Sequence, residues 1–208
     1  MIVLQTRTDK EKREMEKEKT QAELSFLRSQ VNPHFLFNAI NDVYALTYQK
    51  SDEAPAALLK LSDILRYMLD EDNINKVLLE KELRYLKDYI DLQAMGNKNN
   101  IFVTLVLAGE VNSQQIIPLL LIPFVENIYK HGVIDDHAKK AQVNITIDVN
   151  NFTLTATNHI KYQQKDGTGG IGLKNTQRRL QLQYPGKHSF VVKEDNGVFT
   201  CMLSINLS

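Results

Sequence analysis

The chain has 208 residues with 25 acidic and 25 basic side chains, so its formal net charge at pH 7 is zero. This balance argues against a nucleic-acid partner held by phosphate contacts, and we expect no direct nucleic-acid binding. A hydrophobic content of 43% is ordinary for a soluble protein, and the single cysteine, Cys201, excludes an intramolecular disulfide.

Residues 1–23 are predicted to form a charged helical linker. Residues 9–20 mix acidic and basic side chains, many of them three or four positions apart, which supports a solvated helix. Met1 opens no signal-peptide pattern, and no apolar stretch is long enough to cross a bilayer. A free-standing soluble protein and the cytoplasmic part of a membrane receptor both fit this pattern.

A histidine lies beside a proline in the stretch from Ser29 to Asn38. One interpretation is that Asn32 caps a helix that begins at Pro33. The other is that one helical face runs through the proline, which then bends the helix beside His34. The second starts from residues at three- and four-residue spacing, namely Leu24, Leu27, Val31, His34 and Asn38. The pattern alone supports both equally, because Asn-Pro is also a helix start signal.

The segment Asn-Pro-His-Phe-Leu-Phe-Asn, residues 32–38, resembles the phosphoacceptor motif of the LytS-type sensor histidine kinases. The resemblance implies that His34 takes the γ-phosphoryl group of ATP and passes it to an aspartate of a response regulator. A neutral imidazole is nucleophilic near pH 7, which suits this role. Asn38 lies one turn further along and could contact the phosphoryl group or a water. Phe35 stands where better-known histidine kinases carry an acid, so no general base is identified here.

Helical spacing continues to about Gln49, and a second helix is predicted to begin near Pro55. Its predicted apolar stripe consists of Leu58, Leu61, Leu65 and Met68. Two such helices form a hairpin that is too small to bury its apolar surface alone. Two hairpins packed as a four-helix bundle would bury it, so we expect a homodimer. The resemblance implies that residues 24–75 are the dimerisation and phosphotransfer region.

A polar, turn-prone segment at residues 70–76 predicts a domain boundary and a hinge, so that residues 76–208 form a second domain. There the pattern predicts a helix from Leu79 to Met95 and a strand from Ile101 to Leu107. A further buried helix is predicted to start at Pro118 and to end at Gly132.

Four polar residues interrupt this last helix near its end: Glu126, Asn127, Lys130 and His131. An ordinary amphipathic helix end is one explanation. A nucleotide site is the other, because Mg²⁺ takes oxygen ligands and a lysine can reach phosphate oxygens. The segment resembles the N box of the GHKL ATPase and kinase superfamily. That resemblance implies that Asn127 is the Mg²⁺ ligand, that Lys130 and His131 belong to the nucleotide site, and that Glu126 is the nearby acid, a candidate base.

A predicted hairpin over residues 143–157 is followed by Asn158, where the superfamily usually has an aspartate that binds the adenine amino group. An amide oxygen can accept the same hydrogen bond without the help of a charge, and a plain turn residue is the alternative. Residues 159–168 are predicted to form a short lid. The run that starts at Gly169 passes into a helix and matches the second glycine box of the superfamily, which implies that Gly170, Gly172 and Leu173 bind the nucleotide.

The predicted fold is α+β, a helical hairpin followed by a GHKL α/β sandwich that binds ATP and Mg²⁺. The predicted function is that of a sensor histidine kinase of a two-component system, which phosphorylates His34. The family also implies a response regulator of the LytTR type and a location at the cytoplasmic face of a membrane. The alternatives are a nucleotide-binding scaffold without kinase activity and a plain ATPase.

Overall fold

A computed structural model describes residues 33–70, 76–96, 100–161 and 171–208 of the chain. Two compact units meet in the sequence between Asn41 and Asp42. Helix α1 (Pro33–Tyr48) runs across this point, and all other described elements belong to the second unit. The predicted linker of residues 1–23 and the choice between a cap and a kink before Pro33 lie outside the described residues.

The second unit is an α+β fold, as predicted. In chain order its elements are α2 (Ala54–Asp70), β1 (Val77–Leu78), α3 (Leu79–Gly96), β2 (Val103–Ala108), β3 (Gln115–Ile116), α4 (Ile122–His131), a short 3-10 helix (His137–Lys139), β4 (Ala141–Ile147), β5 (Asn151–His159), α5 (Ile171–Gln183), β6 (His188–Asp195) and β7 (Val198–Asn206). None of the helices in the described ranges has the length and apolar character needed to span a bilayer.

The main sheet has five strands in the order β2-β4-β5-β7-β6. Strands β2 and β4 are parallel, and the other neighbours are antiparallel. Inward-facing residues of β4 and β5 alternate with more exposed ones, as expected for a sheet with one buried face. The predicted hairpin over residues 143–157 is confirmed. A second hairpin, β6 to β7, turns through Asn196 and Gly197, which have φ values of 48° and 74°. Positive φ at both central residues is what a tight hairpin turn requires.

Helix α2 buries part of the predicted stripe, Leu61 and Met68, but not Leu58. Its buried side chains are Ala57, Leu61, Ile64 and Met68. Leu58 and Leu69 are instead 57% and 67% exposed. The helix carries more apolar residues than one face can hold, and the face that is buried packs along α3. A second apolar face is therefore left on the surface of this helix.

Helix α2 is joined to α3 by two ion pairs, from Lys60 to Asp88 at 2.8 Å and to Asp91 at 2.9 Å. Hydrogen bonds to these carboxylates outweigh burial and raise the pKa of Lys60. The predicted domain boundary after residue 75 lies between these two helices and stays a prediction.

Helix α4 begins at Ile122, so the prediction that it starts at Pro118 is wrong. Leu119 has a φ of 54°, in the left-handed region, and this conformation interrupts a helix. The segment from Ile117 to Leu121 forms a turn whose backbone groups bond to other elements. The end of the helix is as predicted, because Gly132 is its C-cap and donates its N–H to the Ile128 carbonyl.

Candidate functional site

The polar end of α4 carries the first group of predicted site residues. Asn127 and Glu126 are half-buried, and Lys130 is exposed in the last turn. A cation at this position is favoured by the helix dipole. Burial and the neighbouring Lys130 lower the pKa of His131, so its imidazole is neutral at pH 7.

Glu126 lies close enough to α3 for its charge to act on two tyrosines of that helix. Burial is the main cause that raises the pKa of Tyr85, followed by the charges of Glu82 and then Glu126. Burial and then the Glu126 charge raise the pKa of Tyr89. These tyrosines stay protonated at any physiological pH. The part that Glu126 was predicted to play as a base stays a prediction.

The end of α4 joins the end of strand β5 directly. Gly132 forms a bridge with Ile160, the Val133 N–H donates to the His159 carbonyl at 2.8 Å, and the Lys161 N–H donates to the His131 carbonyl at 2.8 Å. These bonds bring the segment that follows Asn127 and Lys130 beside the end of the strand that carries Asn158. The first three residues of the predicted lid, 159–161, are thus paired here, and residues 162–170 lie outside the described part.

Asn158 is a buried strand residue, so the alternative that it is a turn residue is wrong. It pairs with Phe199 and is only 2% exposed. Its Nδ2 donates to the His159 carbonyl at 3.0 Å, which fixes the orientation of the amide. Within the described ranges its Oδ1 is buried and has no hydrogen-bond partner. A buried acceptor without a partner is costly, and such an atom is typical of a site that a ligand completes.

Gly132 allows α4 to approach this asparagine. A β-carbon at Gly132 would lie 2.6 Å from the Ile128 carbonyl oxygen and 3.1 Å from both Cβ and Nδ2 of Asn158. The φ of Gly132 is −88°, so close approach, and not backbone conformation, is the reason for a glycine at this position.

The second glycine motif is described only in part. Gly170 lies outside the described residues, whereas Gly172 and Leu173 lie in the first turn of α5. The backbone N–H groups of a first helical turn have no partner within the helix and can bind an anion. Leu173 is 9% exposed, and no atom of the described residues lies within 4 Å of a β-carbon added at Gly172. The motif is thus placed at a helix start, as predicted.

His34 is the second residue of helix α1, and its side chain lies outside the described part. Asn38, one turn further along the same helix, is exposed. These two residues belong to the first compact unit, whereas the residues of the predicted nucleotide site belong to the second.

The sequence patterns missed a buried polar network around residues 117–121. Glu82 of α3, which is 0% exposed, accepts hydrogen bonds from this turn, and Arg179 of α5 donates to its carbonyls. One signal was available, because Glu82 lies three positions from each of Leu79 and Tyr85 on the apolar face of its helix. An acid at such a position needs buried partners.

Comparisons with known proteins match this chain to the histidine kinases. Residues 22–101 match the family model described as histidine kinase. The chain is 33% identical over 166 residues to the sensor histidine kinase YpdA of Escherichia coli. This alignment covers 79% of this chain and 28% of that protein. It is 31% identical over 185 residues to the sensor protein LytS of Bacillus cereus. This alignment covers 89% of this chain and 29% of that protein.

Among solved structures, the catalytic domain of histidine kinase ThkA matches with a TM-score of 0.46 and 12% identity, over 64% of this chain and 96% of that chain. The sequence matches identify the chain as a homologue of the sensor histidine kinases. Within that class it is similar to LytS, in agreement with the resemblance of its motifs. The chain spans less than a third of the length of YpdA and LytS.

Proposed function

We propose that this chain is the ATP-dependent core of a sensor histidine kinase that phosphorylates its own His34. The observation that carries the proposal is the junction of α4 with β5, where the buried Asn158 Oδ1 lacks a partner among the described residues. The exocyclic amino group of adenine is a hydrogen-bond donor. It therefore fits an acceptor whose orientation is already fixed by the bond from Nδ2 to the His159 carbonyl.

The residues present also fit a Mg²⁺ ion bound together with a nucleotide. No group of three or more His, Cys, Asp or Glu in the described ranges is arranged to hold a metal alone. Mg²⁺ bound with a nucleotide needs only one or two protein ligands, because phosphate oxygens and waters supply the others. Asn127 would provide the protein ligand, Lys130 would bind phosphate oxygens, and the start of α5 at Gly172 and Leu173 would bind the remaining phosphate charge. When bound, the ion offsets the charge on the transferring phosphoryl group.

The proposed reaction is an in-line displacement at the γ-phosphorus. A lone pair of the His34 imidazole forms the N–P bond while the bond from phosphorus to the bridging oxygen of ADP breaks. We propose that Asn38 holds the phosphoryl group or a water beside the imidazole. Movement at the predicted hinge, residues 73–76, would bring the nucleotide and His34 together. The phosphoryl group would then pass to an aspartate of a response regulator, which we expect to be of the LytTR type.

We propose that the chain acts as a homodimer and that a second copy covers the exposed face of α2. Leu58 and Leu69 lie three turns apart on this helix and are more than half exposed, with the half-buried Leu65 between them. Burial of such leucines in a dimer would be worth about 1.5–3 kcal/mol each. Leu69→Glu should therefore convert dimers to monomers in sedimentation experiments. The control Leu182→Glu changes a leucine of α5 that is 62% exposed, and it should leave the dimer intact.

The proposed location is the cytoplasmic face of the membrane, because ATP and response regulators are cytoplasmic. A membrane fractionation of cells that express the full-length gene tests this location. Recovery of the full-length protein in the soluble fraction would contradict it.

The experiment that tests the kinase activity compares three proteins with labelled ATP and Mg²⁺. The parent should acquire a label that is lost in acid and kept in base, as expected for a phosphorylated histidine, and His34→Gln should acquire none. His137→Gln is the matched control, because His137 is an exposed histidine of the short 3-10 helix, and it should be labelled like the parent. Phosphate release that is unchanged in His34→Gln would indicate a plain ATPase, and neither label nor release would indicate a scaffold.

A further inference from the structure

A turn of five residues sets the start of helix α4. This turn, Ile117 to Leu121, contains a leucine in the left-handed conformation, and the N-cap Leu121 has no side-chain cap of its own. A helix start without a local cap must obtain its partners from elsewhere in the fold. Here they come from two other helices.

Glu82 of α3 supplies the acceptors. Its Oε2 accepts the Leu119 N–H and its Oε1 accepts the Leu121 N–H, both at 3.0 Å. A carboxylate at this place also faces the positive end of the dipole of α4. Because each oxygen takes one N–H, the carboxylate fixes both the position and the rotation of the turn.

Arg179 of α5 supplies the donors on the other side. Its Nη2 donates to the Pro118 carbonyl at 2.6 Å and its Nη1 donates to the Leu119 carbonyl at 3.0 Å. The Tyr184 hydroxyl oxygen accepts the Ile117 N–H at 3.0 Å. The Glu82 carboxylate therefore binds N–H groups of the turn, and the Arg179 guanidinium binds carbonyl groups of the turn.

Tyr67 connects this arrangement to α2. Its hydroxyl donates to Oε2 of Glu82, the same oxygen that accepts the Leu119 N–H. Helix α2 belongs to the region predicted to dimerise and to carry out phosphotransfer, whereas the turn leads to Asn127, five residues after the first residue of α4. A displacement of α2 thus acts on the carboxylate that holds the start of the helix with the proposed Mg²⁺ ligand.

We propose that Glu82 is a positioning residue for the magnesium-binding end of α4, and that Tyr67 makes this positioning depend on helix α2. This inference rests on the proposed function. It predicts that Tyr67 affects nucleotide binding more strongly when Mg²⁺ is present, because Asn127 acts only through the ion, whereas the adenine contact at Asn158 does not depend on the start of α4.

Tyr67→Phe is the variant of choice, since it removes one hydroxyl and keeps the ring. The matched control is Tyr85→Phe. The Tyr85 ring stacks on that of Tyr67 with centroids 4.8 Å apart, and it is buried, but among the described residues its hydroxyl makes no hydrogen bond to Glu82. Glu82→Gln is the stronger variant, because the side-chain amide brings a donor towards backbone N–H groups.

The first measurement is the affinity of the whole chain for a fluorescent ATP analogue, with Mg²⁺ and with EDTA. Tyr67→Phe should weaken binding in Mg²⁺ on the order of fivefold, Glu82→Gln should weaken it further, and both should change binding less in EDTA. Tyr85→Phe should bind like the parent in both conditions. The second measurement is hydrogen exchange of the Leu119 and Leu121 amides without nucleotide, which should be about tenfold faster in Tyr67→Phe than in Tyr85→Phe.

The outcomes separate the two claims. A parent that binds no nucleotide refutes the proposed function and the positioning role with it. A parent that binds nucleotide, with Tyr67→Phe equal to the parent in Mg²⁺ or weakened equally in EDTA, refutes only the positioning role. Equal exchange of the two amides in both tyrosine variants also refutes it. If Glu82→Gln does not fold, the comparison of Tyr67→Phe with Tyr85→Phe still decides.

Discussion

Substitution of Gly132 by alanine tests the junction on which the proposed nucleotide site depends. The added β-carbon would lie 2.6 Å from the Ile128 carbonyl oxygen and 3.1 Å from Cβ and Nδ2 of Asn158. The carbonyl is part of the backbone of α4 and already accepts the Gly132 N–H at 2.7 Å, so it has little freedom to move. Relief must come from a shift of the helix end, of strand β5 or of the Asn158 amide.

Each of these shifts has a cost that can be worked out. Overpacking of a close contact costs about 1–3 kcal/mol, and a weakened hydrogen bond from Gly132 to Ile128 adds about 1 kcal/mol. We therefore expect Gly132→Ala to lower the free energy of unfolding by about 2–4 kcal/mol. If the Asn158 amide moves, the nucleotide loses a buried hydrogen bond, and its affinity should fall by about tenfold, since 1.4 kcal/mol corresponds to a factor of ten.

Urea unfolding followed by circular dichroism measures the stability, and titration with a fluorescent ATP analogue measures the affinity. Both should be done at a temperature at which the variant is folded, so that a loss of binding is not a loss of fold. A Gly132→Ala protein with the stability and the affinity of the parent would refute the close approach of α4 to Asn158.

Three further predictions concern other parts of the fold. Gly172→Ala should raise the free energy of unfolding by about 0.5–1 kcal/mol, because the added methyl group meets no atom of the described ranges within 4 Å and alanine is the better helix former; a urea-unfolding midpoint below that of the parent would contradict this. Cys201 is 1% exposed and burial raises its pKa to about 12, so a thiol reagent at pH 8 should modify it only as fast as the chain unfolds; rapid modification of the native protein would show an accessible thiol. Lys60→Met should lower the free energy of unfolding by about 1 kcal/mol at pH 7, since it removes the ion pairs to Asp88 and Asp91. Because the folded-state pKa of Lys60 is raised above 10.5, this difference in stability should be constant from about pH 7 to pH 10.5 and should shrink as the pH rises further, as measured by urea unfolding of both proteins.

Local patterns were sufficient for most elements of the second unit. The alternation of apolar and polar residues predicted the strands β4 and β5, and Asn196-Gly197 in the last hairpin has the left-handed conformations that such turns need. Helix α3 also follows its apolar spacing, with Leu83, Leu86, Tyr89 and Ile90 buried. These elements are set by periodicities of two and of three to four residues, which are visible in the sequence.

The start of α4 was not predictable in the same way. Proline is a common first residue of a helix, which led to the predicted start at Pro118. Leu119, however, adopts a left-handed conformation that is unfavourable for leucine. The turn is held by Glu82 and Arg179, which are 37 and 60 residues away from Leu119 in the sequence. Its conformation is thus imposed by the tertiary structure, and no local pattern contains that information.

The buried face of α2 was only partly predicted, and the reason is related. Leu58, Leu61, Leu65 and Met68 are one consistent helical stripe, but Ala57 and Ile64 are buried where Leu58 is exposed. A helix that is apolar on two faces does not show which face meets its own chain. At the site, motif resemblance supplied the residues, whereas the contact between Gly132 and Asn158 required coordinates.

The most direct test of the account locates the phosphoryl group after the chain has been incubated with ATP and Mg²⁺. Mass spectrometry of peptides prepared at neutral to alkaline pH should find it on the His34 imidazole of the parent and on no residue of Asn127→Ala. A phosphoryl group on another residue of the parent, or one on His34 that is undiminished in Asn127→Ala, would contradict the proposal that this magnesium-dependent nucleotide site serves His34.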